Sequence, residues 1–186
     1  MSTITSEAFY NAWKEAVKAD QDYLLKIWRN NRDFTYKMMG DEDSMISKVA
    51  KKLGLESYEQ DYYSIDSILY KKGDLINNPY RAMYWFKEIR VAFEHENSFN
   101  RGILEEVAHL LITNAELKVL VTYPNDTPIE ELKEIYEIIR SSGHSKSLTE
   151  KQNFMIIFGY EPKFEWEFFI YDENNPEWNS YERLKD

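Results

Sequence analysis

Apolar residues recur every three or four positions through most of the first fifty residues, a spacing typical of amphipathic helices. This pattern predicts one long helix over residues 5–30. A second predicted helix covers residues 41–53, with Asp41 as a suitable N-cap and Gly54 just beyond its end. The pattern indicates no definite structure for residues 33–40.

After residue 55 the apolar spacing changes to two, as expected for strands whose side chains alternate between faces. Two antiparallel strands are predicted at about residues 58–71 and 83–96. The first is apolar on both faces, which is typical of a buried strand, and it carries Asp66 in its middle. In the second strand, Glu94 and Glu96 point to the same side, opposite to an apolar face.

A predicted helix at residues 103–114 separates the second of these strands from a further strand at residues 117–123. A strand–helix–strand unit of this length predicts a parallel pair of strands with a right-handed crossover.

The clearest local signal for a helix start lies just after this strand. Thr127 and Glu130 have the spacing of a capping box, and Pro128 falls at the first helical position. The helix that starts there should run to about residue 140. Two strands, at residues 154–158 and 164–171, are predicted to form a hairpin.

This order of elements predicts an α/β protein with one domain over residues 1–186, built on a mixed β-sheet flanked by helices. Its expected parts are an N-terminal helical extension (1–40), an α-β-β-α-β core (41–123), a helix and β-hairpin addition (124–171) and an irregular tail (172–186).

The composition, 43% hydrophobic and 30% charged over 186 residues, is that of a globular protein with a real core. The absence of cysteine excludes disulfides and thiolate zinc sites. A net charge of −10 argues against broad, non-specific binding of nucleic acid but is compatible with a local basic patch. The chain shows neither a signal-peptide pattern nor a long apolar run, so we expect a cytoplasmic protein that does not enter a membrane.

The position of Asp66 is unusual for a strand residue, because it lies between Ile65 and Ile68 in a strand that is apolar on both faces. A buried carboxylate is costly unless it is paired, hydrogen-bonded or bound to a metal. If the two strands pair, Asp66 approaches Glu94 and Glu96, and a divalent cation would relieve the repulsion among the three. Two simpler interpretations stay open: the glutamates form the polar face of a half-exposed strand, and the aspartate is a hydrogen-bonded structural residue.

The order of helix, strand with Asp66, strand with Glu94-x-Glu96, helix and strand resembles the core of restriction-endonuclease-like, or PD-(D/E)xK, nucleases over residues 41–123. Asp66 matches the aspartate of the motif and Glu94 matches its glutamate. Glu96 stands where the family usually has a lysine, giving the Glu-x-Glu variant, and Ile65 replaces the proline that usually precedes the aspartate.

The resemblance implies that Asp66 and Glu94 bind Mg²⁺ or Mn²⁺ through oxygen, as a hard cation requires. The backbone carbonyl of His95 and the side chain of Glu56 are candidate further ligands. Glu96 is expected to orient the attacking water or to bind a second metal ion.

The first functional hypothesis is therefore a Mg²⁺-dependent nuclease that hydrolyses phosphodiester bonds in DNA, with Lys118 on the next strand replacing the missing motif lysine. Five further lysines are candidate phosphate contacts, although a solvated surface is the alternative for those on the second helix; they are Lys48, Lys51, Lys52, Lys71 and Lys72. The second hypothesis is a catalytically inactive protein of the same fold that acts as a protein-interaction module, which the acidic surface and the absent lysine favour. A homodimer is compatible with either hypothesis.

The histidines are too dispersed to suggest a metal site of their own. His95 shares its strand face with Val91 and Phe93, so packing at the core edge is favoured over ligation by its side chain. His109 follows Glu105 by four residues on a predicted helix, and a surface pair is expected there.

Overall fold

Seven strands form a single mixed sheet in the computed structural model, which describes residues 3–76, 84–126 and 128–184, and their order across the sheet is their order along the chain. The strands are β1 (Glu56–Tyr58), β2 (Ser67–Tyr70), β3 (Ile89–Glu96), β4 (Ala115–Thr122), β5 (Phe154–Tyr160), β6 (Glu165–Ile170) and β7 (Asn179–Leu184). The helices are α1 (Ser6–Ala19), α2 (Gln21–Ile27), α3 (Asn31–Met39), α4 (Met45–Lys52), α5 (Phe99–Ile112), α6 (Ile129–Ser141) and α7 (Ser145–Lys151).

The pairing of the strands changes direction twice across the sheet. β1, β2 and β3 pair antiparallel, β3, β4 and β5 pair parallel, and β5, β6 and β7 pair antiparallel again. The predicted parallel pair on either side of the α5 crossover is confirmed, as is the predicted hairpin of β5 and β6. The α/β class with a mixed sheet flanked by helices is likewise confirmed.

Each face of the sheet is buried under its own layer of helices. The first layer, α1 to α4, packs on the face that carries Val91 and Phe93, where Trp13 of α1 meets Trp166 of β6 with ring centroids 5.4 Å apart. The second layer, α5 to α7, packs on the face that carries Ala92. The period-two alternation predicted for β3 is therefore confirmed, and Glu94 lies on the α5 face.

The predicted single helix over residues 5–30 is wrong, because the chain breaks at Asp20 between α1 and α2. The Asp20 carboxylate pairs with Lys37 at 2.8 Å and also with Lys48. Those two lysines come from α3 and α4, so tertiary ion pairs fix the break and no local pattern reveals it.

Other boundaries also differ from the predictions. The N-cap of α4 is Ser44, whose Oγ accepts a hydrogen bond from Ser47 N at 3.1 Å, and not Asp41. Helix α5 begins four residues earlier than expected, at Phe99. Helix α6 begins at Ile129, and the predicted cap Thr127 lies outside the described residues.

Three elements were not predicted: α3, where the pattern indicated no definite structure, α7 and the edge strand β7. The tail predicted to be irregular from residue 172 instead pairs with β6, and the side chain of Trp178 is buried. The start of the strand predicted at residue 83 falls outside the described residues, and β3 begins at Ile89.

The strand predicted over residues 58–71 is interrupted, since β1 ends at Tyr58 and β2 begins at Ser67. A tight turn lies between them, with Tyr63 and Ser64 at φ +53° and +68°. Positive φ at both central residues is the feature of type I′ hairpin turns, which favour Asn and Gly. Holding a bulky residue there costs about 1–3 kcal/mol.

Candidate metal site

Two hydrogen bonds join Asp66 to the Glu94–His95 segment at the junction of β2 and β3. Asp66 N donates to Glu94 Oε2 at 3.0 Å, and His95 N donates to Asp66 Oδ2 at 2.8 Å. The register explains this, because Ser67 pairs with Phe93 and the residue before β2 therefore lies opposite Glu94. The predicted approach of Asp66 to Glu94 is confirmed.

Helix α5 brings two further groups to Glu94. The ligand atoms of Glu94, Glu106 and His109 lie within 4.8 Å of one another. His109 Nδ1 is 3.3 Å from Glu106 Oε2 and 3.7 Å from Glu94 Oε1. Glu94 is fully buried and its Oε1 makes no hydrogen bond to any described residue, whereas Glu106 and His109 reach the surface.

The electrostatics of this cluster disfavour an ionised Glu94. Burial, together with the nearby charges of Asp66 and Glu106, raises the pKa of Glu94 to about 10. Burial also raises the pKa of Asp66, an effect that the hydrogen bond from His95 N partly offsets. Burial raises the pKa of Glu106 as well. Either protons or a cation must neutralise this cluster.

Glu96, on the same side of β3 as Glu94, bends over the start of α5. One of its carboxylate oxygens accepts a hydrogen bond from Ser98 N. The other lies where a side chain at position 102 would begin, so Gly102 leaves the space that Glu96 occupies. The charge of Glu96 still acts on Asp66 and contributes to its raised pKa.

His95 is buried on the opposite face of the sheet, as the sequence pattern indicated. Its Nε2 shares a hydrogen bond of 2.8 Å with the Tyr123 hydroxyl, and its ring lies 6.1 Å from that of Phe34. Burial lowers the pKa of His95 to about 3, so the ring is neutral at pH 7. The side chain of His95 therefore does not contribute to the carboxylate cluster.

Tyr123→Phe is expected to lower the free energy of unfolding by about 1–3 kcal/mol, because it removes the partner of a buried imidazole nitrogen. Urea denaturation at pH 7 measures this. The exposed Tyr63→Phe is the control and should change stability by less than about 0.5 kcal/mol. Equal stability of wild type and Tyr123→Phe would contradict the role of this hydrogen bond.

Lys118, the predicted replacement for the motif lysine, lies beside Ala92 in the register of β3 and β4. Its ammonium donates to the Thr113 carbonyl, at the N-terminal end of β4. Burial lowers the pKa of Lys118 to about 8. Since Glu94 is near the C-terminal end of β3, the amine of Lys118 is directed away from the carboxylates.

Glu56, Lys71 and Lys72 lie at the end of β2 that is remote from Asp66. Glu56 pairs with Tyr70 in the register of β1 and β2, and its carboxylate is 3.6 Å from Lys72 Nζ. The structure therefore does not bring Glu56 to the cluster.

Three of the predicted phosphate contacts lie on α4, in the helical layer that covers the face opposite to Glu94. They are Lys48, Lys51 and Lys52. Lys48 lies 3.3 Å from the Asp43 carboxylate, and Lys52 lies 2.5 Å from that of Glu15. These lysines do not line the carboxylate cluster.

Glu106 and His109 are the site residues that the sequence analysis did not identify. The expected surface pair of His109 with Glu105 is replaced by pairs with Glu106 and Glu94. A signal was present, because Glu106 and His109 adjoin the buried residues Val107 and Leu110 on α5. Polar residues at the border of an apolar helical stripe are the ones that reach the underlying strand.

Comparison of the chain with models of protein families, with curated proteins and with solved structures gives no match. Within residues 3–76, 84–126 and 128–184, no helix combines the length and the apolar character that a membrane span requires.

Proposed function

We propose that this protein binds Mg²⁺ or Mn²⁺ at Asp66, Glu94 and Glu106 and hydrolyses phosphodiester bonds in DNA. The observation that carries the proposal is the convergence of Glu106 and His109 on the buried Oε1 of Glu94, which has no hydrogen bond of normal geometry to a described residue. A buried carboxylate oxygen without a partner is costly, and a hard divalent cation with oxygen ligands relieves that cost.

The topology around the cluster supports a restriction-endonuclease-like core. In such a core an antiparallel group of strands leads through a helix to a parallel strand, as β1, β2, β3, α5 and β4 do here. Asp66 directly precedes β2 and Glu94 is near the end of β3, so the two motif positions lie opposite each other.

The residues of the cluster would have different roles in hydrolysis. When bound, the cation lowers the pKa of water and neutralises charge on the phosphate. Asp66, Glu94 and Glu106 would hold the cation through their carboxylate oxygens. His109, at the surface side of the cluster, is placed to carry a proton away from the site, and Glu96, whose carboxylate is held by Ser98 N, would act on the cluster through its charge.

Nicking of supercoiled and single-stranded DNA with Mg²⁺ or Mn²⁺ tests this function. Wild type should cleave only with metal, and Asp66→Asn and Glu94→Gln should not cleave. Both substitutions keep a side-chain oxygen that can accept the observed backbone hydrogen bond, so the fold should survive; circular dichroism checks this.

Failure of wild type to cleave, or equal cleavage by all three proteins, would contradict the proposal. The second candidate, an inactive protein-interaction module, is favoured by one observation: the amine of Lys118 is bound at Thr113 and not near the carboxylates. Metal binding without cleavage would support that candidate.

A further inference from the structure

An aromatic surface covers the β1–β2 edge of the sheet on the same face as Glu94. We call it the tyrosine surface, and its members are Tyr58, Tyr62, Tyr63, Tyr70, Tyr84 and Phe86. Neighbouring rings touch throughout, with centroids 4.9 Å apart for Tyr62 and Tyr63, 5.1 Å for Tyr62 and Phe86, and 4.7 Å for Tyr70 and Phe86. It is therefore one continuous patch of aromatic groups.

The register places this patch beside the carboxylate cluster. Tyr58 pairs with Ile68 and Ile68 with Ala92, so their side chains share one face. Glu94 is the next residue on that face of β3. At the turn, Tyr63 precedes Asp66 by only three residues.

Tyr63 is the most exposed member, with 82% of its surface accessible, and the chain holds it in place. Tyr62 and Ile65 exchange both backbone hydrogen bonds, at 2.9 and 3.2 Å, and close the turn. Ser64 N also donates to Asp61 Oδ1 at 3.0 Å. These bonds fix the backbone of the turn, and the Tyr63 ring packs edge-to-face on that of Tyr62 while staying exposed, which suits a contact with a ligand.

We infer that the tyrosine surface binds single-stranded nucleic acid, with an unpaired base stacked on Tyr63 beside the carboxylate cluster. Every base has a π-face, and stacking on aromatic side chains holds single strands with little dependence on sequence. Basic residues for the phosphate backbone adjoin Tyr70 and Phe86 in the chain; they are Lys71, Lys72 and Lys87. Lys71 and Lys72 lie at the end of β2 that is remote from Tyr63, and Lys72 is 3.6 Å from Glu56, so they would contact phosphates several nucleotides from the stacked base. This inference rests on the proposed function and gives its substrate class.

The acidity of the protein also favours a single strand over a duplex. Duplex binding depends on many cation–phosphate contacts, which a net charge of −10 opposes. Stacking needs fewer such contacts, because a splayed-out base contributes binding of its own.

Fluorescence anisotropy tests the inference with the full-length Asp66→Asn protein in EDTA, so that no cleavage interferes. The probes are a fluorescein-labelled deoxythymidine oligomer and a labelled duplex of the same length. The single strand should bind more tightly, and adding Tyr63→Ala should weaken its binding about tenfold, as the loss of one stacked base predicts. Tyr63→Phe retains the ring and should restore binding, while Tyr36→Ala, which removes an exposed tyrosine from α3, should leave it unchanged.

No binding of the single strand, preference for the duplex, or equal losses in Tyr63→Ala and Tyr36→Ala would each overturn the inference. The two proposals fail separately. Tyr63-dependent binding by a protein that never cleaves would support this inference and refute hydrolysis. Metal-dependent cleavage of duplex without binding of single strands would support hydrolysis and refute this inference.

Discussion

Glu106→Gln is expected to lower metal-dependent cleavage about a hundredfold or more and to weaken Mn²⁺ binding at the same time. Changes to groups that only support a metal ligand cost about 10- to 100-fold, and loss of a ligand should cost at least as much. Initial cleavage rates and Mn²⁺ titration calorimetry measure the two effects.

The chain offers a matched control on the same helix. Glu105 is exposed, one position before Glu106, so Glu105→Gln removes the same charge without touching the cluster. It should change neither cleavage nor Mn²⁺ binding appreciably. Equal losses in the two variants would mean that general charge matters and that Glu106 is not a ligand.

Glu94→Gln is expected to stabilise the metal-free protein at pH 8 by about 2–4 kcal/mol, because it replaces a buried acid by a neutral amide. For a chain of this size that corresponds to a rise in Tm of roughly 4–16 °C. The same variant should gain no stability from Mn²⁺, whereas wild type should gain stability.

The raised pKa of Glu94 should make the stability of the wild-type protein decrease as pH rises. The pKa of Glu94 is about 10 in the folded protein, against an ordinary value of 4.5. The unfolded chain therefore releases this proton above pH 4.5 while the folded protein retains it. The stability that this group contributes is complete below pH 4.5 and is lost as pH rises toward 10.

Thermal unfolding in EDTA between pH 5 and pH 9 checks this expectation. The groups near Glu94, namely Asp66, Glu106 and His109, are present in both proteins, so the difference between the two curves reports position 94 together with its coupling to Asp66 and Glu106. Wild type should lose Tm relative to Glu94→Gln as pH rises. Parallel curves for the two proteins would contradict the raised pKa.

Much of the site could be predicted because Glu94 lies in a strand and Asp66 directly precedes one, and a period of two fixes the face of each side chain there. Asp66 was notable in the sequence for its apolar neighbours, and the register places it opposite Glu94. Glu106 and His109 could not be placed in this way. Their approach to Glu94 depends on how α5 crosses the sheet, which packing decides and local spacing does not.

The same distinction explains the errors in the fold. Asp20 interrupts a continuous helical pattern because lysines from α3 and α4 bind its carboxylate. Strand β7 has no alternating apolar pattern and exists through its pairing with β6. Both features depend on contacts between distant parts of the chain.

The packing of α1 on β6 has a consequence for synthesis of the protein on the ribosome. Ser6 donates a hydrogen bond to the Gln152 carbonyl, 146 residues later in the chain, and the ring of Trp13 packs on that of Trp166. At about 5–20 residues per second, the apolar side of the first helix waits roughly 7–30 s for its partner strand. Chains that stall before β6 present this side uncovered, so nascent-chain chaperones have a defined segment to protect.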